Sequence, residues 1–465
     1  MLKVIFINDS TTSANWGDRA AAISLKSMVA ASGGRIVRSV SEDDLALSSF
    51  GGHFTHLEDP PRNRVREAVR ALIPPFILAA RRRMFKGVDL TAANRVIPER
   101  WEGFRDAAKA VLEARTGTWP SLVGAIRAAD VAVIHGDGAM VGNGIIPRTD
   151  LFLAYLAKRR LGTPVIMVNH SADFGHPELR RMAENVYPLF DDVVFRDPVS
   201  AERCATLCTG RFAADTAFWF EPSPRETWAA IARRPTYFDV WPDTATFDPS
   251  EPYLCLGGSS LHSTAWRPAA IARDYAALVR KLRSVYDGQI VLTLSGLQEL
   301  EVFRPLAREL DLPLVAPTTS VQQGVDLLGN ADAYIGGRWH TAIFALRGGA
   351  PVVALSAKQG KMGSLMLAAG LPTTEFDAFA LASSSEDITK SLLDHLRAGQ
   401  DLRRTLRTWA DGMAVNCWDN VAYLRNFAST GQDPDAPLPL RPGQDPTAVG
   451  VAAPNDGAPR MNAPR

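Results

Sequence analysis

Short, almost purely apolar runs recur along the chain: LKVIFI (2–7), VAVIH (131–135), PVIMVNH (164–170), DVVFR (192–196), YLCLG (253–257), IVLTLSG (290–296), AYIGG (333–337) and PVVALS (351–356). Most are separated by segments of helical length and period, such as DRAAAISLKSMVAAS, TDLFLAYLAKRRLG and AAIARDYAALVRKLRSVYDG. A strand that reads as a continuous Val/Ile/Leu run is buried on both faces, and helices between such strands make right-handed crossovers. The pattern therefore predicts an α/β chain with parallel, doubly wound sheets. The strands fall into two groups, before about Glu221 and after about Glu251, with EPSPRETWAAIARRPTYFDVWPDTATFDPSEP between them. We expect an N-terminal α/β domain over 1–230 carrying a basic helical insertion at about 57–128, a linker at 231–250, and a second α/β domain over 251–400. Terminal helices at 401–430 and a Pro/Gly/Ala-rich tail at 431–465 follow, the tail too poor in large apolar groups to order itself. Two such domains face each other across a cleft at the carboxyl ends of their strands, where open α/β sheets bind ligands.

Charge narrows the function classes. Lys plus Arg (51) nearly cancel Asp plus Glu (50), so no global field marks a nucleic-acid binder. The opening MLKVIFIND enters a strand directly and lacks the apolar core and small-residue cleavage site of an export signal. No uncharged apolar run reaches the roughly 18–20 residues that span a bilayer. Four cysteines fit a reducing, cytoplasmic setting, and Cys204 and Cys208 have helical-neighbour spacing without a second Cys or His pair to complete a metal site. One segment breaks the charge balance: RNRVREAVRALIPPFILAARRRMFKG (62–87) carries Arg62, Arg64, Arg66, Arg70, Arg81, Arg82, Arg83 and Lys86 against a single Glu67. It reads either as ordinary helices broken at Pro74-Pro75 with solvated arginines or as a contact with an anionic membrane face.

Three loops are candidates for chemistry. NDSTTSANWGDRAAAISL brings Asn15, Gly17 and Asp18 to the start of a helix. There backbone N–H groups can meet an anion or a sugar hydroxyl, or Asp18 can cap a helix beginning near Arg19. VIHGDGAMVGNG places Gly136, Asp137 and Gly138 after a buried strand, either as a tight turn or as a close backbone approach to a ligand. His135 and Asp137 lack a third ligand at a diagnostic spacing, and no metal is expected. DVVFRDPVS sets Arg196 at the end of a strand, reaching the cleft or pairing with a carboxylate, with Asp197 or Ser200 opening the next helix.

The richest stretch is DAYIGGRWHTAIFALRGGAPVVALSAKQGK (332–361). Gly336-Gly337 lets the chain turn at the strand end. Arg338 then offers a planar fork for carboxylate or phosphate, and His340 a proton near neutral pH. The next strand ends at Ser356, and Lys358 and Lys361 return two more cations to the same sheet edge. The competing reading is a capped helix with a solvated arginine and a packed histidine.

Together these motifs resemble the polysaccharide pyruvyl transferase family over most of residues 2 to about 375. NWGD (15–18) resembles its Asn-x-Gly-Asp signature and HGDGAM its glycine-rich turn. VVFRDPVS resembles its Arg-Asp strand end, and ADTAF (214–218) a later Asp-x-Ala-Phe segment. Most specific is GGRWHTAIFALRGGAPVVALSAKQGKMGSLMLAAGL, similar to an Arg-x-His helix, a Gly-x-Pro link and a lysine before Gly-Leu. NHSADFGHP departs from the Gly-Pro run usual there, and the family's lysine falls on Lys358 or Lys361, with spacing from Gly370-Leu371 favouring Lys361. The resemblance implies a glycosyltransferase-B-like pair of Rossmann-like domains. It also implies transfer of a pyruvyl group from phosphoenolpyruvate to a sugar of a glycan or its lipid-linked precursor, without a further cofactor. Arg196, Arg338 and Lys361 would hold the anionic donor and His340 would move the proton. A nucleotide-sugar glycosyltransferase and a non-catalytic glycan- or membrane-binding homologue are the alternatives the same architecture permits.

Overall fold

In a computed structural model the described residues are 1–41, 44–45, 96–115, 118–234, 237–238, 241–316 and 318–430. The basic segment from Arg62 to Lys86 and the tail from 431 lie outside them.

The apolar runs form two parallel sheets. The first comprises β1 (Leu2–Ile7), β2 (Gly34–Val40), β3 (Val131–Val141), β4 (Val165–Asp173), β5 (Asp192–Phe195) and β6 (Arg211–Phe212), in the order β2-β1-β3-β4-β5-β6. The second comprises β7 (Tyr253–Ser259), β8 (Gln289–Thr293), β9 (Leu314–Val315), β10 (Ala333–Gly337) and β11 (Val352–Ala354), in the order β11-β10-β7-β8-β9. In the first sheet the chain steps from β1 outward to β2 and then back to β3. In the second it runs from β7 through β8 to β9 and then returns to β10 on the other side of β7. At each reversal neighbouring loops leave the strand ends in opposite directions and open a crevice. The β1/β3 and β10/β7 crevices face each other.

The halves are packed together rather than loosely hinged. One apolar core contains Phe6, Trp16 and Val133 from the first half with Tyr253, Val325, Trp339 and Phe344 from the second. Trp16 opens the Trp16–Ala31 helix and lies so close to Gly324 that a β-carbon there would sit 3.2 Å from the indole. The Arg19 guanidinium reaches across to the Thr319 carbonyl at 2.7 Å. The long Leu381–Asn416 helix, interrupted at Gly399 (φ 57°), returns from the second half to the first. There Asn416 accepts from the Ala214 N–H at 2.7 Å, and Asn420 accepts from the Asn169 N–H at 2.8 Å. Among the described residues no helix is long and apolar enough to cross a membrane.

Several local expectations are revised. GRIVRSV, β6 and β9 are strands that the apolar runs do not announce. β2 and β6 are solvent-facing edges, and β6 and β9 are two residues long. Of the two readings of the glycine-rich stretch after VAVIH, the tight turn does not form: β3 continues through it, and its pairing with β4 shifts register between Asp137 and Met140. Asp137 takes φ 44° at this irregularity, which swings its carboxylate into the crevice. The first helix begins at Trp16, not near Arg19. Asn15 is the cap, its side chain accepting from the Gly17 N–H at 2.8 Å, and Asp18 lies inside the first turn.

Candidate active site

The paired crevices enclose a cavity of about 270 Å³ whose wall includes Asn15, Asp18, Asp137, Arg196, Arg338 and His340, with Lys361 at its edge. Each side chain arrives for a local reason. Arg196 directly follows the apolar β5, and Asp197 caps the next helix by accepting from the Ser200 N–H at 2.8 Å, so the chain turns there and leaves the guanidinium at the strand mouth. Arg338 directly follows β10, and His340 lies in the first turn of the Trp339–Arg347 helix. Gly360 (φ 61°) turns the chain into the Lys361–Ala368 helix and delivers Lys361.

His340 is the hub. Its Nε2 lies 3.4 Å from Asp215 Oδ2, 3.3 Å from Arg196 Nη1 and 3.8 Å from Asp137 Oδ1, while Nδ1 lies 3.8 Å from Asp18 Oδ1. Gly17 is pressed against it: a β-carbon at Gly17 would fall 2.0–2.2 Å from the imidazole and from His340 Cβ. A glycine is therefore required where the Trp16–Ala31 helix touches the Trp339–Arg347 helix.

The cations are not equivalent. Arg196 is buried, donates Nε to Ser171 Oγ at 3.0 Å and Nη1 to Asp215 Oδ2 at 3.0 Å, and pairs with Asp137. Its guanidinium also lies over the Trp339 ring at 5.6 Å, and the indole N–H donates to the same Asp215 oxygen at 2.9 Å. Arg338 is engaged by Glu299, which receives Nε at 3.1 Å and Nη2 at 2.6 Å and accepts from the Ser295 N–H at 2.7 Å. Of these three cations only the Lys361 ammonium has no hydrogen bond or ion pair among the described residues. Burial, helped by the charges of Arg196 and Arg338, brings its ammonium down to about 8 from 10.5.

The carboxylates are split in the same way. Burial opposes ionisation of Asp137 and Asp215, but Arg196 and His340 outweigh it and hold both well below the ordinary range. Asp18 goes the other way: burial first, then the neighbouring Asp137 charge, raises its carboxyl to about 7. One acid is thus poised near neutrality beside a histidine flanked by permanent carboxylates, an arrangement suited to moving protons. Asp18, Asp137 and His340 also place three ligand-type atoms within 4.8 Å of one another. A divalent cation there would face the Arg196 guanidinium at hydrogen-bond range of His340, a poor fit electrostatically.

Of the residues singled out in the sequence, Arg196, Arg338, His340, Lys361, Asn15, Asp18, Asp137 and Gly138 surround this one cavity, and Gly17 backs it. Three are placed elsewhere. Gly136 is inside β3, where a β-carbon would strike His170 Cβ at 2.5 Å, so its smallness serves packing. The Ser356 hydroxyl is taken by the Ala378 N–H at 3.0 Å. Lys358 is exposed beside Ser260, whose hydroxyl accepts its N–H at 3.0 Å. Two residues are added: Asp215, which holds Arg196 and Trp339, and Glu299, which holds Arg338. Asp215 stood inside the ADTAF motif, but Glu299, in LQELEVF, carried no signal beyond an ordinary helical acid.

The family model described as polysaccharide pyruvyl transferase matches residues 58–359. No curated protein matches the chain. Among solved structures it is similar to S. aureus MnaA with UDP, at 13% identity and TM-score 0.51 over 92% of this chain and 97% of that one. A protein from Listeria monocytogenes described as a UDP-N-acetylglucosamine 2-epimerase gives 13% identity and TM-score 0.50 over 93% and 97% of the two chains. At that identity the likeness speaks for the fold: two Rossmann-like domains in a glycosyltransferase-B-like arrangement.

Proposed function

The chain belongs to the polysaccharide pyruvyl transferase family, and from that premise we propose that it transfers a pyruvyl group from phosphoenolpyruvate to two hydroxyls of a glycan sugar, or of its lipid-linked precursor, forming a cyclic ketal. The observation that carries this reading is the convergence of Arg196, His340 and Lys361, from different strand ends of both domains, on one small cavity. A three-carbon phosphate ester with a carboxylate needs such a site. Lys361 supplies the one positive charge of the three that no carboxylate among the described residues pairs. Arg196 and Arg338, already neutralised by carboxylates, supply rigidly oriented N–H donors, and preorganised donors of this kind cost no reorganisation when charge develops on the departing phosphate.

The chemistry divides between His340 and Asp18. His340, facing Asp215 and Asp137, gives a proton to the terminal enol carbon, and the central carbon becomes oxocarbenium-like. The first acceptor oxygen bonds to that carbon and its proton passes to the Asp18 carboxylate. The second acceptor oxygen then bonds to the same carbon as the carbon–oxygen bond to phosphate breaks. Phosphate leaves with the bonding electrons and takes up the second hydroxyl's proton; Asp18 returns its own proton to His340. One donor and one diol thus give one ketal and one inorganic phosphate. No metal is needed in this scheme. The acceptor is assembled at the cytoplasmic face of the membrane, toward which the arginines of the segment from Arg62 to Lys86 are the sequence's own attachment.

The reading is tested by incubating the protein with phosphoenolpyruvate and glycan acceptors. Phosphate release matched by a pyruvyl ketal supports it. Consumption of a nucleotide-sugar without ketal formation overturns it in favour of glycosyl transfer.

A further inference from the structure

A second cavity, of about 480 Å³, lies on the other flank of Lys361, which lines both. Its first wall comes from the carboxyl ends of β4 and β5 and the short Pro198–Arg203 helix that follows, with Ser171, Asp197, Val199, Ser200 and Arg203. Its second wall is the Lys361–Ala368 helix with Thr373. The contrast with the donor cavity is chemical. There the side chains are charged and locked to one another. Here the exposed surface is mainly apolar, with Ala172 and Val199 at the wall and Leu367, 71% exposed, at the rim, and the hydroxyls of Ser171, Ser200, Ser364 and Thr373 are set among them. Hydroxyls beside an exposed apolar surface are what a sugar ring requires, since its edge carries hydroxyls and its face C–H groups.

The two cavities are also connected through named contacts. Ser171, on the wall of the second, receives the Arg196 Nε–H at 3.0 Å, and Arg196 lines the first. Ser364, on the second wall, donates to the Lys361 carbonyl at 2.8 Å and so fixes the turn that carries the lysine. Ketal formation needs the acceptor hydroxyls to reach the donor carbon from a side the phosphate does not occupy, and Lys361 is the residue that the two cavities share.

We propose that this second cavity is the acceptor subsite, in which one pyranose unit of the glycan rests its C–H face on Val199 and Leu367 and directs two hydroxyls past Lys361 to the bound donor. The assignment of its occupant as acceptor rests on the transferase reading above. Arg203 and Thr373 fix the ring's other hydroxyls, and the open rim at Leu367 lets the rest of the chain or lipid carrier remain in solvent.

The test uses the full-length protein and a panel of methyl hexopyranosides, read by saturation-transfer NMR, with phosphoenolpyruvate binding followed in parallel by calorimetry. The wild type transfers saturation to the sugar protons. Thr373→Trp, which projects an indole into the cavity, weakens sugar binding about 10-fold or more, and Leu367→Asp, at an exposed position where folding is not at stake, weakens it about 3-fold, while donor affinity stays within about twofold. Absence of sugar saturation in the wild type, or sugar binding equal to wild type in both variants, overturns the assignment. Failure of the wild type to bind phosphoenolpyruvate overturns the donor reading instead, whatever the sugar arm gives.

Discussion

Replacing Gly17 by alanine tests the contact on which the site's geometry depends. The added β-carbon would lie 2.0 Å from His340 Nδ1 and 2.2 Å from His340 Cβ. Carbon contacts settle near 3.5 Å, so the two helices must part, or His340 must move, by about 1.5 Å. Because Nε2 now sits 3.3 Å from Arg196 and 3.4 Å from Asp215, such a shift takes it out of reach of both. Overpacking of this kind costs about 1–3 kcal/mol of stability, and misplacing a reacting group by an ångström or more costs about 100-fold in rate, or about 2.7 kcal/mol of barrier. Denaturant unfolding and phosphate release from phosphoenolpyruvate measure the two effects separately. The source of the clash is identified by background. His340→Ala keeps the offending β-carbon and leaves the Gly17→Ala penalty in place, whereas His340→Gly removes it and restores the lost stability. Wild-type turnover by Gly17→Ala, or the same stability penalty in all three backgrounds, would refute the reasoning.

Three further outcomes follow from the site's electrostatics. Asp18, raised to about 7 when folded against 3.8 otherwise, binds its proton preferentially in the native state; its stabilising contribution is complete below about pH 4 and is lost as pH rises through 7. Asp18→Asn therefore flattens the stability profile over that window, is more stable than wild type at pH 8 in urea titrations, and turns over about 100-fold more slowly. Lys361, brought down to about 8, must be charged to hold the donor, so the KM for phosphoenolpyruvate rises as pH passes 8 in the wild type. It is high and pH-independent in Lys361→Met, and Lys361→Arg moves the rise beyond the measurable alkaline range. Removing the buried partner of Arg338 with Glu299→Ala costs about 3 kcal/mol in equilibrium unfolding, and Glu299→Gln, which retains an acceptor oxygen, costs less.

The sheets were legible in the sequence because parallel strands buried on both faces are continuous apolar runs, and Leu2–Ile7 and Ala333–Gly337 begin and end where the runs do. GRIVRSV escaped because an edge strand is half solvated and its arginines break the run. At the site, strand ends gave away Arg196 and Arg338, since a long cation immediately after a buried strand points to the sheet's mouth. What these cations touch was not legible. Asp215 meets Arg196 and Trp339 only after the chain has folded through both domains, while locally it caps the short Thr216–Trp219 helix by accepting from the Ala217 N–H at 2.9 Å. Gly17 and Gly136 show the same limit. A glycine beside a strand end suggests a ligand's approach, but one makes room for His340 and the other for His170. The sequence left open whether Arg196 reaches the cleft or pairs with a carboxylate; the fold pairs both Arg196 and Arg338 with carboxylates and leaves the Lys361 ammonium unpaired among the described residues.

The central claim is that this cavity breaks the carbon–oxygen bond of phosphoenolpyruvate and joins its central carbon to two sugar oxygens. The most direct measurement follows donor labelled with carbon-13 at that carbon by NMR, alongside phosphate release, with glycan acceptors present. The account predicts a ketal carbon signal growing one-for-one with inorganic phosphate in the wild type, and neither product with His340→Ala. Free labelled pyruvate in place of the ketal, or ketal formation that survives loss of His340, would contradict it.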